Sequence, residues 1–245
     1  MTTSTSLKEI CQTAENKKYY DIHINRFSFI LNTVKNLKLP PQSQVLDVGC
    51  YPPHLFNSFL ELGFQVKGVS SSHETIKAKN IYPINIETDN LPFEDNSFDL
   101  IVFSEVLEHL IEYPSLFFNE VSRVLKKNGY FLLTTPNALR TQNIFLLLLK
   151  QNIYPPLDQF KSTKLASHTI YHRHNREYTL SELINIFPKN IMTTIKASCF
   201  ISFSPFREKN KSDSFIQKFL KTTNFLLMLI FPSRKDTLFL LYQKQ

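Results

Sequence analysis

The apolar positions of this chain change period repeatedly, from one residue in three or four to short unbroken runs. Ile22, Phe27, Ile30, Leu31 and Val34 recur at helical spacing, which predicts a helix over residues 19–37, closed by Pro40-Pro41. Residues 1–18 ahead of it are polar and are expected to be loose. Val45, Leu46 and Val48 then form a continuous run, as a strand covered on both faces would. Pro53 suits the first turn of a helix reaching Leu62, and Gly63 stops it. Runs at 65–69, 81–86, 98–103 and 130–135 read as further strands. Between them, Ser70-Ser71-Ser72 can cap a short helix carrying Glu74, and 105–111, 114–126 and 143–149 have helical character. Lys127-Asn128-Gly129 is a turn into the fifth strand.

The pattern loosens over residues 151–177, which are irregular and rich in His, Pro and Tyr, as a loop or lid beside a substrate would be. Thr179 opens a helix through Phe187, 192–204 is strand-like, 214–231 is an apolar helix, and 237–242 is a last strand. Strands alternating with helices predict an α/β fold with a mainly parallel sheet.

Composition bounds the partners. The chain has 245 residues, 42% of them hydrophobic and 22 of them Phe, enough to bury a sizeable core. The formal net charge is +7, which favours an acidic surface or ligand, but no run of five basic residues occurs and nucleic acid is not the expected partner. Cys11, Cys50 and Cys199 share no metal-site or disulfide spacing, so a reducing compartment is expected. The Thr/Ser-rich beginning lacks the apolar core of a secretory leader, and the run from Phe225 to Phe231 is too short to span a bilayer. A cytoplasmic location follows as the expectation.

The chemistry centres on Val45-Leu46-Asp47-Val48-Gly49-Cys50. A buried strand ends in an acid, then a glycine, then a turn into a helix, and open α/β sheets bind ligands at such strand ends. Leu91-Pro92-Phe93, Phe98-Asp99-Leu100-Ile101-Val102, Glu105-Val106-Leu107-Glu108-His109, Arg123-Val124-Leu125-Lys126 and Gly129 to Asn137 follow in order. In this order and spacing the chain resembles the class I S-adenosylmethionine (SAM)-dependent methyltransferases of the small-molecule type. The resemblance is close from Gln44 to Asn137. It continues weakly through His174 to Thr179, a run similar to the sugar- and polysaccharide-associated branch.

The resemblance implies a Rossmann-like, seven-stranded methyltransferase sheet with helices on both faces, a last strand that is antiparallel, and a C-terminal elaboration. Residues 1–40 would be a helical cap, 41–150 the SAM-binding core, and 151–245 an acceptor-side loop, helices and the last two strands of the same domain. The cofactor would lie against Asp47, Gly49, Cys50, Tyr51, Ser70, Ser71, Glu87, Asn90, Leu91, Ser104 and Glu105. Two departures stand out. The family's Gly-x-Gly after Cys50 is replaced by Tyr51-Pro52-Pro53, which removes two N–H donors. The family's acid after the second strand is replaced by Ser70, a loss of about 1.5–3 kcal/mol of charge-assisted hydrogen bonding, with Ser71 or Glu74 as partial substitutes.

Glu105, Glu108 and His109 are spaced to share one helix face. His109 is the candidate general base, because imidazole titrates near neutral pH. As an alternative, Glu105, Glu108 and His109 could hold a divalent metal together with a later histidine, a pattern similar to metal-assisted O-methyltransferases of ubiquinone synthesis and of small-RNA ends. His168, His172 and His174, near Arg173, Arg176 and Tyr178, could contact the acceptor. The leading expectation is O-methylation of a sugar or glycan precursor. The competing readings are a binding module that keeps the fold without catalysis, and a metal-assisted nucleic-acid methyltransferase. Lys218, Lys221, Arg234 and Lys235 flank the apolar 214–231 segment, which could be core or could touch the inner face of a membrane.

Overall fold

β1 (Gln44–Val48) is the centre of the sheet, and its pleat decides what each residue meets. Leu46 and Val48 face one apolar layer and Val45 the other, so the strand is covered on both sides. The computed structural model describes residues 11–70, 80–111, 114–154, 174–202 and 215–245, with side chains in the last stretch from 222 onward. Within these residues, seven strands form one sheet: β1, β2 (Gln65–Ser70), β3 (Ile81–Pro83), β4 (Phe98–Ser104), β5 (Leu125–Pro136), β6 (Met192–Phe200) and β7 (Thr237–Lys244). Their order is β3-β2-β1-β4-β5-β7-β6. β7 runs antiparallel to both β5 and β6, and the remaining neighbours are parallel.

The helices divide between the faces. α1 (Ala14–Asn36) and α2 (His54–Glu61) belong to one face, where Phe27, Ile30, Val34 and Phe56 pack with Val45, Leu100 and Phe239. α3 (Ser115–Val124) and the short α5 (Leu180–Ile184) lie on the other, through Phe117, Val121 and Leu183. α4 (Thr141–Leu148) follows β5, and α6 (Phe215–Ile230) precedes β7.

Several boundaries differ from the sequence reading, each for a local reason. The first helix begins at Ala14, because the Thr13 side chain accepts from the Asn16 N–H and caps it. The third strand stops at Pro83, and Asn85 then accepts from the N–H groups of Thr88 and Asp89, curling the chain into a turn where strand had been expected. The 105–111 segment is not an α-helix. Glu105 sits at φ 55° and only Leu107–His109 form a single 3-10 turn, so Glu105, Glu108 and His109 do not share a helix face. α5 has a full capping box between Thr179 and Glu182 but ends at Ile184, short of Pro188, which disfavours helical geometry at the residue before it. The sixth strand ends at Phe200.

Candidate active site

The sheet order reverses direction beside β1, whose neighbours are β2 and β4, and a crevice opens there at the strand ends. Register sets what lines it. Val48 stands opposite Val69 on one side and Phe103 on the other, so Gly49, Ser70 and the Ser104-Glu105 corner reach the same edge. The pocket is lined by Gly49, Tyr51, Ser70, Asn85, Glu105 and His109, with Val48, Val69, Ile84, Ile86, Val106 and Leu110 as its apolar wall.

Gly49 has φ 74°, and a Cβ there would lie 2.3 Å from Val106 Cγ2. Only glycine lets the first loop pass this close to the 3-10 turn that carries His109. The Gly49 and Cys50 N–H groups both donate to the Val69 carbonyl, and the His54 N–H donates to the Pro52 carbonyl. The loop therefore closes on its own backbone, with Pro52 and Pro53 placed where no donor is needed.

The acids divide by burial. Asp47 faces the α1–α2 side, and its carboxylate accepts from the Phe56 N–H; burial pushes its pKa up to about 7. It braces the turn into α2 and does not line the pocket. Glu105 lines the pocket and pairs with Arg26 of α1 at 3.3 Å, both side chains largely buried. Arg26 Nη2 also donates to the Tyr19 hydroxyl at 2.8 Å. Burial would lower the Arg26 pKa, but Glu105 and Tyr19 together raise it. Arg26 Nε and Glu105 Oε1 are buried without a hydrogen-bond partner. Sequence reasoning missed Arg26, although a signal was there: it occupies the buried stripe of α1, four residues after Ile22 and four before Ile30.

Glu108 is 1% exposed, and burial together with the nearby Glu105 charge pushes its pKa well up. The Thr135 hydroxyl donates to Glu108 Oε2 at 2.9 Å. His109 Nε2 lies 3.8 Å from Glu108 Oε1, and its ring meets that of His174 edge-on at 5.1 Å between centroids. A backbone clamp makes this meeting possible: the Asn175 N–H donates to the Glu108 carbonyl, and the Asn175 amide donates to the His109 carbonyl. Glu177 orients His174 from behind. Burial would raise its pKa, but His174 at 3.4 Å, Arg140 at 2.8 Å and Asn143 at 2.7 Å hold it down. Thr135, Arg140 and Glu177 were not singled out from sequence.

Other expected residues lie elsewhere. Cys50 is buried, with its sulfur 2.6 Å from where a Gly68 Cβ would stand, so it packs against β2. Glu87 Oε1 accepts from the Ile111 N–H at 2.7 Å, and Asn85 and Ile86 line the pocket in its place. Asn90 is exposed, and the buried Leu91 donates its N–H to Glu120, so neither lines the pocket. Ser104 exchanges a 2.9 Å hydrogen bond with Thr134. Arg176 pairs with Glu182 and lies over the Tyr178 ring, outside the His109 cluster. Ser71, Glu74, His168, His172 and Arg173 lie outside the described residues. The metal set changes accordingly. Glu108, His109 and His174 bring ligand atoms within 4.8 Å of one another, whereas Glu105 turns away to Arg26.

Residues 46–133 match the family described as "Methyltransferase domain". Over this stretch, about a third of the chain, the protein is similar to the class I SAM-dependent methyltransferases. That likeness implies S-adenosylmethionine as the methyl donor. The ubiquinone biosynthesis O-methyltransferase of Albidiferax ferrireducens is 27% identical over 117 residues, 43% of this chain and 45% of that protein. The chain thus spans about half the length of the curated relatives it matches. Among solved structures, the complex between the Haloferax volcanii Trm112 methyltransferase activator and a methyltransferase aligns with TM-score 0.62 at 13% identity, over 98% of this chain and 97% of that one. A SAM-dependent methyltransferase from Mesorhizobium loti aligns with TM-score 0.56 at 14% identity, over 86% and 96%. At such identities the likeness establishes the fold. The unpartnered atoms fit such a donor: Glu105 Oε1 belongs to a pocket-lining residue and Arg26 Nε to the residue paired with it, charges of opposite sign as a zwitterionic amino-acid moiety requires.

Proposed function

We propose that the protein methylates a hydroxyl oxygen of a small-molecule acceptor, with His109 receiving the hydroxyl proton. One observation carries this reading: His109 lines the same pocket as Gly49, Ser70 and Glu105, while Glu108 and His174 hold its ring. S-adenosylmethionine supplies an electrophilic methyl group on a sulfonium. The chain must align acceptor and donor and remove one proton, and the leaving sulfur needs none. Arg26 and Glu105 bind the amino-acid end, Gly49 gives the donor close access to the backbone, and Ser70 meets the ribose side. The buried Glu108 carboxyl, 3.8 Å from the His109 ring, orients the imidazole that receives the proton.

The relatives' name, O-methyltransferase, supports oxygen as the acceptor atom. A sugar or glycan precursor is the acceptor class favoured by the polar groups beside His109, with His174 held there by Glu177 and Arg140. The test is SAM turnover to S-adenosylhomocysteine over a panel of sugars, catechols and amines. Hydroxyl acceptors should be methylated and amines not. No detectable heat with millimolar SAM in calorimetry would instead mark a binding module that has lost the cofactor.

A second reading adds a divalent metal, favoured by the proximity of Glu108, His109 and His174. Two imidazoles and a carboxylate suit a first-row transition ion, which would acidify a bound hydroxyl as a Lewis acid. A buried carboxyl with a raised pKa, beside two imidazoles, fits such a cation. Activity lost on chelation and restored by a divalent ion selects this version.

A further inference from the structure

The described part of the molecule exposes fourteen large apolar side chains, and nine of them fall on residues 139–149 and 226–231. They are not scattered. α4 and α6 touch, and residues of both line one cleft, Arg140 and Gln142 from the first, Asn224 and Met228 from the second. Leu148 is 74% exposed and Ile230 66%, with Leu147, Leu149, Leu229 and Phe231 each above half. Surface leucines that occur singly need no explanation, but this many on two touching helices mark an interaction site.

The basic side chains described beside the patch are Lys150, Arg234 and Lys235, which outnumber the neighbouring Asp236; Arg140 is already paired with Glu177. In a dimer built on this face, each copy would bring its cations to the same seam, where they repel. An anionic lipid surface neutralises them and covers the apolar side chains in the same step. Neither helix is long and apolar enough to cross a membrane. From the joint placement of apolar and basic residues, we infer that α4 and α6 form a docking face that lies in the interface of an anionic membrane.

The same placement has a consequence for access. The cleft between the two helices is also lined by Glu105, which borders the cofactor pocket. A docked protein would therefore bring a cleft that adjoins its site to the lipid surface, where an acceptor with an apolar tail would be held. Docking itself does not depend on methyl transfer, so it is tested without S-adenosylmethionine.

Co-sedimentation of the full chain with phosphatidylglycerol/phosphatidylcholine vesicles, and with phosphatidylcholine alone, at low and high salt, decides the matter. The protein should pellet with the anionic vesicles at low salt and be released at high salt. Leu148→Ser combined with Ile230→Ser should weaken binding at least tenfold; both side chains are mostly exposed, so folding is spared and circular dichroism can verify it. Neutralising Lys150, Arg234 and Lys235 to Gln should weaken it about fivefold per residue. Protein remaining in the supernatant with anionic vesicles at low salt would overturn the inference. So would light scattering that shows a concentration-dependent dimer dissociated by the two serines, since the face would then belong to a second copy.

Discussion

Arg26 and Glu105 lie 3.3 Å apart, Arg26 on the first helix and Glu105 at the corner after β4, where it lines the pocket. Each keeps one buried polar atom without a partner. A buried ion pair is weak evidence for stability, since desolvation offsets most of its Coulomb energy. Unfilled hydrogen-bonding capacity on a pocket-lining residue and its ion-pair partner makes better sense as capacity reserved for a ligand.

The first prediction tests that reading. Arg26→Met should weaken SAM binding by one to two decades, the worth of one charge-assisted hydrogen bond of about 1.5–3 kcal/mol. It also strands a buried Glu105, so the fold should lose stability. Arg26→Met with Glu105→Gln should recover much of the stability without recovering the affinity. Calorimetry and thermal melting on the three variants separate the two effects. Affinity restored along with stability would mean that the pair is only structural.

Asp47 gives a prediction in pH. Burial raises its pKa from 3.8 to about 7. A carboxyl whose pKa is raised by folding keeps its proton longer in the folded state. Its favourable contribution is therefore complete below about pH 4 and is lost as pH rises toward 7. The span corresponds to up to about 4 kcal/mol. Asp47→Asn cannot ionise and should lack this slope. Urea midpoints for both proteins between pH 4.5 and 7.5 provide the check. Parallel profiles would show that the carboxyl is already ionised in the folded protein.

Much of this architecture was legible in the sequence, and the limits have physical causes. The runs that become β1, β4, β5 and β7 were plain because a strand buried on both faces cannot hide its composition, whereas β3 and the edge strand β6 are less buried. The segment after β4 was misread because helical spacing cannot reveal a left-handed residue such as Glu105, and one such residue turns a would-be helix into a 3-10 turn. Gly49 could be placed at the pocket from its strand-end position alone, whereas Asp47, expected at the cofactor, bonds to the Phe56 backbone instead. The His109–His174 contact could not, because it depends on Asn175 bonding back to the 3-10 turn. Glu87, expected at the cofactor, instead secures the Ile111 backbone, since the turn after Asn85 shifts which residues line the pocket.

Gly49 should tolerate no side chain. Gly49→Ala meets both an unfavourable φ of 74° and Val106 Cγ2 at 2.3 Å. The left-handed backbone costs about 1 kcal/mol or more, and displacing Val106 adds to it. A fall in Tm of roughly 5 °C or more is expected, with weaker SAM binding because Val106 leads into the turn that carries His109. Adding Val106→Ala should return part of both losses by making room. If Gly49→Ala melts like the wild type, the loop does not pass where the structure places it.

The last prediction separates the two versions of the chemistry. As a general base, His109 acts on the acceptor proton, so His109→Ala should lower kcat by about 10²–10⁴-fold and leave SAM affinity within a few-fold. His174→Ala should then cost much less, because His174 touches His109 only ring to ring. In the metal version both imidazoles are ligands. Either substitution would then abolish divalent-ion binding, measured directly by calorimetry in the absence of S-adenosylmethionine, and the two variants would be about equally inactive. Thr135→Val extends the comparison. It removes the 2.9 Å hydrogen bond to Glu108 without touching either histidine. In the general-base version this frees Glu108 to shift and changes kcat through the orientation of His109, with no metal dependence. In the metal version it reduces ion affinity. Turnover that is insensitive to chelation and lost in His109→Ala but not in His174→Ala leaves His109 as the base. Equal loss in both variants, with an ion-binding signal in the wild type, assigns the pair to a metal.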